Sequence, residues 1–123
     1  MQVSRTSQLA QSRAFFIPDG VTKHQPLAEQ VRHTLYGRCR RVLDTWAPAL
    51  DWCLAASGRA ELLIALAGRP ILPNAGMLIL EEGGGTITDL QGHPFQGQES
   101  CGLLGSNGTG LHDQLLHLVH QFA

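Results

Sequence analysis

Residues 68–89, G-R-P-I-L-P-N-A-G-M-L-I-L-E-E-G-G-G-T-I-T-D, leave the chain few ways to fold. Gly68 and Pro70 break the element before them, because proline fixes φ and has no N–H to donate. Asn74 is a helix-capping residue, and an apolar segment follows it over residues 75–82. Three consecutive glycines, Gly83, Gly84 and Gly85, then release the chain from the helix. Thr86 to Asp89 is short and β-branched, which suits a strand. The stretch therefore reads as turn, short helix, glycine stop and strand.

The rest of the chain continues this alternation. Residues 14–17 (A-F-F-I) form an apolar strand closed by the turn signal Pro18-Asp19-Gly20. The next helix starts either at a Thr22 cap, with Gln25 completing a capping box, or at Pro26, where proline suits a first turn. Leu27, Val31 and Leu35 line one face of it, and Gly37 is expected to end it. Residues 38–43 read as a strand. A helix over residues 47–57, capped by Asp44 or Thr45, is apolar nearly all round, so burial on more than one side is expected. Gly58 stops it. Residues 61–66 read as a buried strand, although their composition alone would allow a helix, residues 101–106 as another strand candidate, and residues 110–122 as a helix with Leu111, Leu115, Leu118 and Phe122 on its apolar face. The order β-α-β-α-β-α-β-β-α predicts an α/β fold, a layered α/β/α sandwich with helices on both faces of a sheet. Residues 1–13 are polar and without period, and are expected to form a loose, disordered arm before a single domain over residues 14–123.

Composition excludes several function classes. A chain of 123 residues with 43% hydrophobic side chains can bury one core. Charged residues are 15%, well under the ~25% of ordinary soluble domains, which points to a surface covered by a partner. A net charge of −1 gives no general attraction to nucleic acid or to anionic membranes. No apolar run approaches the ~20 residues of a membrane span, and residues 1–13 lack a signal-peptide core. Cys39, Cys53 and Cys101 are odd in number and far apart, as expected of reduced thiols in the cytoplasm.

Four blocks, in order, carry a family resemblance from Val42 onward. They are Ala49-Leu50-Asp51 with Cys53 and Ala56-Ser57-Gly58-Arg59; Pro70 with Ala75-Gly76, Glu82, Gly84 and Thr88-Asp89; Asp89-Leu90-x-Gly92-x-Pro94-Phe95; and Gly105-Ser106-Asn107 before an apolar helix. Together they resemble the C-terminal domain of the inositol monophosphatase family. The resemblance implies a five-stranded mixed sheet between helices. In full-length members an N-terminal domain packs on this one, and Mg²⁺-dependent phosphate-ester hydrolysis occurs between the two. It also implies what this chain lacks. The family's tryptophan falls at Ile71, its metal-binding aspartate at Leu72, its substrate-binding glutamate at Ala65, and its small-residue step beside the substrate at Trp46-Ala47-Pro48. The Glu-Glu and Asp-Pro-x-Asp-Gly-Thr motifs that supply the other ligands are not found in their family setting; Glu81-Glu82 falls on the structural Glu-x-Gly-Gly element.

The expectation is a non-catalytic domain that acts by binding, without cofactor. Its partners are expected to be a second copy in a homodimer, or another protein covering the face left by the N-terminal domain. The alternative is one half of a split Mg²⁺-dependent phosphatase completed by a separate chain. Arg41 and Asp44, with Ser106, Asn107, Gly108 and Thr109 before the last helix, are the candidate ligand-binding residues. Asp113, His117 and His120 form a helical stripe that suits an exposed face better than a metal site. Arg38, Arg40 and Arg41, with Lys23 and Arg32, form a modest basic cluster that reads as a solvated edge. Asp51 and Cys53 read as structural; Cys101 and Ser57 lack a setting that would activate them.

Overall fold

The computed structural model describes residues 2–19, 25–45 and 48–122. A 3-10 turn at Leu9–Gln11 precedes β1 (Arg13–Pro18), α1 (Pro26–Arg38), β2 (Arg41–Leu43), α2 (Pro48–Ala56) and β3 (Leu62–Leu66). Then follow α3 (Ala75–Glu82), β4 (Thr86–Asp89), β5 (Gly102–Ser106) and α4 (Leu111–His120). The strands form one mixed sheet in the order β2-β1-β3-β5-β4. β1 is parallel to β2 and β3, and β5 is antiparallel to β3 and β4.

Strand alternation divides the core. Ala14 and Phe16 of β1, with Leu62, Ile64 and Leu66 of β3, face α1 and α4, where they meet Val31, Leu35, Leu111, Leu115 and Leu118. Phe15, Leu63 and Ala65 point the other way, toward Trp52 and Ala56 of α2 and Met77 and Leu80 of α3. The result is the expected α/β/α sandwich. The helix pair α2/α3 packs closely at Gly76, where a Cβ would lie 2.7 Å from Trp52 Cβ and 2.9 Å from the Ala49 carbonyl oxygen. Glycine at this point lets the two backbones approach.

The residue 68–89 stretch folds as read. Asn74 Oδ1 accepts from Met77 N at 3.0 Å, and the glycines release the chain into β4. Other expectations need correction. Gly37 does not end α1; without a left-handed turn there, the helix runs on to Arg38, and Cys39 N bonds Leu35 O at 2.8 Å. The strand expected over residues 38–43 is therefore only Arg41–Leu43, with Arg38 on the helix. α2 is buried on more than one side, as expected: Asp51, Trp52, Ala55 and Ala56 are buried between the sheet and α3, while Leu50 is 55% exposed. The Thr22 cap, Lys23 and Trp46-Ala47 lie outside the described residues.

The largest correction concerns the arm. Val3 N bonds Gly83 O at 3.1 Å, and Thr6 O accepts from Asn107 Nδ2 at 2.7 Å and Thr109 Oγ1 at 3.1 Å. Ser12 is buried, with its hydroxyl on Gln8 O at 2.9 Å. Residues 2–12 run along the glycine stop after α3 and the turn into α4, where several of their backbone groups find partners.

Candidate functional site

The sheet has two unlike ends. At the C-terminal ends of β1 and β3 lies an open cleft of about 210 Å³. Its walls come from Ile17 and Pro18 (β1), Ala65 and Leu66 (β3), Pro48 and Trp52 (α2), and Ile71 and Met77. From β1 the chain crosses to β2 on one side, and β3 lies on the other, so this is the switch point of the sheet. Ligands of open α/β sheets bind at such points.

The chemistry of the walls does not match that position. Their two polar side chains are already engaged. Asp19 Oδ2 accepts from Gly68 N at 2.6 Å, and Asn74 Oδ1 caps α3. Ala65 is only 6% exposed and closes the cleft floor with a methyl group. Leu72, in the loop above, is 79% exposed. Leu78 of α3 is 60% exposed, beside a second hollow lined by Pro73, Met77, Glu81, Phe95 and Gln96. The cleft walls are thus mainly apolar, while the second hollow mixes apolar side chains with Glu81 and Gln96. A hard divalent cation needs several oxygen ligands; a leucine and an alanine offer none, so the residues present do not fit the Mg²⁺ site that the family resemblance implies. Asp51, at the start of α2, is buried and accepts from Thr45 Oγ1 at 2.6 Å. Burial raises its pKa, the Thr45 hydroxyl lowers it in part, and the charge of Asp44 adds to the rise. This bond is the local hydrogen bond expected of Asp51.

The opposite end is polar and sealed. The fully buried carboxylate of Glu61 accepts from Arg13 N at 2.8 Å, Arg13 Nε at 3.2 Å and Arg13 Nη2 at 2.9 Å. Burial alone would raise its pKa; the hydrogen bonds from Arg13 and Ser4 hold it below the usual range. Asn107 Nδ2 reaches Ser4 Oγ at 3.1 Å, tying the arm to the same cluster. Gly108, at φ +77°, passes so close to the Gly84 carbonyl that a Cβ would lie 2.5 Å from it.

His112 joins three elements here. Its Nε2 is 2.8 Å from Thr88 Oγ1 on β4, and its Nδ1 is 2.8 Å from Ser106 Oγ on β5. Thr88 gives its one hydroxyl hydrogen to Asp89 O at 3.0 Å, and Ser106 Oγ accepts from Gly108 N at 3.2 Å. A neutral ring satisfies both hydroxyls, with one ring nitrogen donating and the other accepting. Burial pushes the His112 pKa down, partly offset by Asp113. Sequence reading missed this residue. The signal was there: His112, Leu115 and Val119 are spaced i, i+3, i+7 on the buried face of α4.

The six candidate ligand-binding residues do not come together. Ser106, Asn107, Gly108 and Thr109 stand at the sealed end, where the first three are bonded as described and Thr109 Oγ1 bonds Asn107 Oδ1 at 2.7 Å. Arg41 begins β2 at the same end but three strands away, roughly 14 Å at sheet spacing. Asp44 follows the other end of β2. Among the described residues no group of three His, Cys, Asp or Glu is placed to hold a metal. His120 of the α4 stripe instead bonds Leu90 O at 2.7 Å.

Comparisons with known proteins agree with this architecture. No profile of a known protein family matches the chain. Inositol-1-monophosphatase of Bacillus subtilis (strain 168) is 31% identical over 87 residues, 71% of this chain and 33% of that protein. Among solved structures, inositol monophosphatase from Anabaena (Nostoc) sp. PCC 7120 superposes with a TM-score of 0.82 at 25% identity, covering 98% of this chain and 48% of the other. The Thermotoga maritima IMPase gives 0.83 at 22% identity, covering 98% and 45%. The chain thus spans about a third of the curated relative and just under half of the solved structures.

Proposed function

We propose that this inositol-monophosphatase-like domain is a non-catalytic binding protein that self-associates through the cleft end of its sheet. The single observation that carries the reading is Leu72, 79% exposed at the position where the family resemblance calls for a metal-binding aspartate. Ala65 makes the same exchange on the cleft floor, where the resemblance calls for a glutamate. Exposed leucines beside apolar hollows mark contact surfaces in soluble proteins. Knobs and hollows on one face suit a two-fold contact, in which each copy supplies both. Three free cysteines accord with a cytoplasmic setting.

Two measurements test the reading. The purified chain, incubated with inositol 1-phosphate and Mg²⁺, is expected to release no phosphate beyond the metal-free control; metal-dependent release overturns the non-catalytic assignment. Sedimentation at high micromolar concentration is expected to give twice the 13.3 kDa chain mass. A strict monomer overturns self-association. The alternative reading is one half of a split Mg²⁺-dependent phosphatase. A native mass spectrum from the source cells showing a different chain bound stoichiometrically would select it.

A further inference from the structure

A different surface carries an inference that does not depend on the cleft. β2 is an outer strand, and no described strand pairs with its far side. The other outer strand, β4, is covered by its own chain: Phe95 N bonds Ile87 O at 3.0 Å, Asp89 N bonds His93 O at 2.9 Å, and Pro94 bridges Thr88. β2 has no such return among the described residues. Its Val42 is buried in the core, while Arg41 and Leu43 are exposed. An open strand edge offers backbone N–H and C=O groups to any extended segment that can approach.

The side chains around this edge select what approaches. Residues 30–44 hold four arginines, Arg32, Arg38, Arg40 and Arg41, and one acidic residue, Asp44, in a chain of net charge −1. All four arginines are exposed. Among the described residues the side chains of Arg38, Arg40 and Arg41 have no ion pair or hydrogen bond, in contrast to Arg13 on Glu61. Arg32 lies over the exposed Tyr36 ring, 5.8 Å from its centroid, one turn before the cluster. Like charges oppose pairing of two β2 edges from separate copies, so the edge is protected from self-addition and open to a strand of opposite charge.

We propose that the β2 edge is a docking site for an extended acidic segment of another protein, which adds to the sheet as a sixth strand while its carboxylates meet Arg38, Arg40 and Arg41. Main-chain hydrogen bonds to β2 supply the register, the exposed Leu43 contacts an apolar residue of the added strand, and the arginines supply charge selection. Guanidinium groups suit this role because they pair with carboxylates through two parallel hydrogen bonds.

The test uses the whole chain, labelled with ¹⁵N, and a ten-residue peptide of alternating Glu and Val. The expected result is a shift of the Arg41, Val42 and Leu43 amide resonances, with binding that weakens steeply as salt rises. Charge reversal in R40E/R41E is expected to weaken binding at least tenfold with little change in the melting temperature, because these two side chains have no bonded partner in the fold; Arg38 is kept, since it ends α1, where a cation favours the helix dipole. The same peptide N-methylated at alternate amides keeps its charge but cannot pair with a strand, and is expected to lose binding. Equal binding of the methylated peptide overturns strand addition. Tighter binding of a single-stranded RNA ten-mer than of the peptide overturns the protein partner, and shifts confined to the cleft residues overturn the site.

Discussion

The two ends of the sheet have had opposite fates. At the arm end, Glu61, Arg13, Asn107, Ser106 and His112, whose ring reaches along the sheet to Thr88, form polar contacts, and none of the fully buried side-chain N or O atoms among the described residues lacks a partner. At the cleft end, the positions that the family resemblance assigns to carboxylates are Ala65 and Leu72. The difference follows from what each group is bonded to. Removing one member of a buried network strands its partners, and each stranded group costs its full desolvation. A carboxylate that serves a metal at an open cleft has no such obligation to the fold. It can be exchanged for an apolar side chain at little cost in stability.

This contrast can be broken by mutation, beginning where the effect should be largest. Glu61→Ala leaves Arg13 N and Nε without their acceptor, while Nη2 keeps only the Gly58 carbonyl oxygen, and is expected to cost about 2–3 kcal/mol, read from urea unfolding. A loss under about 0.5 kcal/mol would mean that the arm end is no more constrained than the surface average. His112→Gln is expected to cost about 1–2 kcal/mol, since one amide cannot bridge Thr88 and Ser106 as the ring does. Its effect should also depend on pH. The folded pKa of His112 lies below the ordinary 6.5, so the unfolded chain binds the proton more readily. The stabilisation by neutral His112 is therefore complete above pH 6.5 and declines as pH falls toward the lower folded value. Comparing acid unfolding of wild type and His112→Gln isolates this part; identical pH profiles would show that the ring takes its proton without loss. Leu72→Asp at the cleft end should change monomer stability least, within about 0.5 kcal/mol, because the side chain is 79% exposed. The same change should weaken self-association, which sedimentation detects. Together the three variants rank the ends: a Leu72→Asp cost equal to that of Glu61→Ala would erase the distinction.

How much of this was legible in the sequence varied with the kind of signal. α3 and β4 were readable to the residue because Asn74 and the three glycines are local devices, sufficient without tertiary context. The α1/β2 boundary was misread because a glycine breaks a helix only when its backbone turns, and Gly37 stays helical. The burial of α2 on more than one side was legible, but not which face stays open, because composition reports apolarity and not what covers it; Leu50 and Trp52 are two residues apart and have opposite environments. The cleft was invisible as a shape, since its walls come from β1, α2, β3 and the approach to α3. The apolar character of its rim was visible, because Leu72 and Ala65 stand at named positions of a recognised pattern. The arm was misjudged for the reason that makes it informative: its partners lie at the far end of the chain.

That last feature sets an order of events in folding. The bonds from Asn107 and Thr109 to Thr6, and from Gln114 to Ser7, join residues 101 to 107 positions apart. Closing so long a loop has no reward until the sheet and the turn into α4 already exist. Residues 2–8 should therefore dock last, after β1, β3 and β5 have paired. In hydrogen-exchange experiments the Val3 amide should gain protection late during refolding and lose it first on mild destabilisation, so that this seam reports on the completeness of the whole domain.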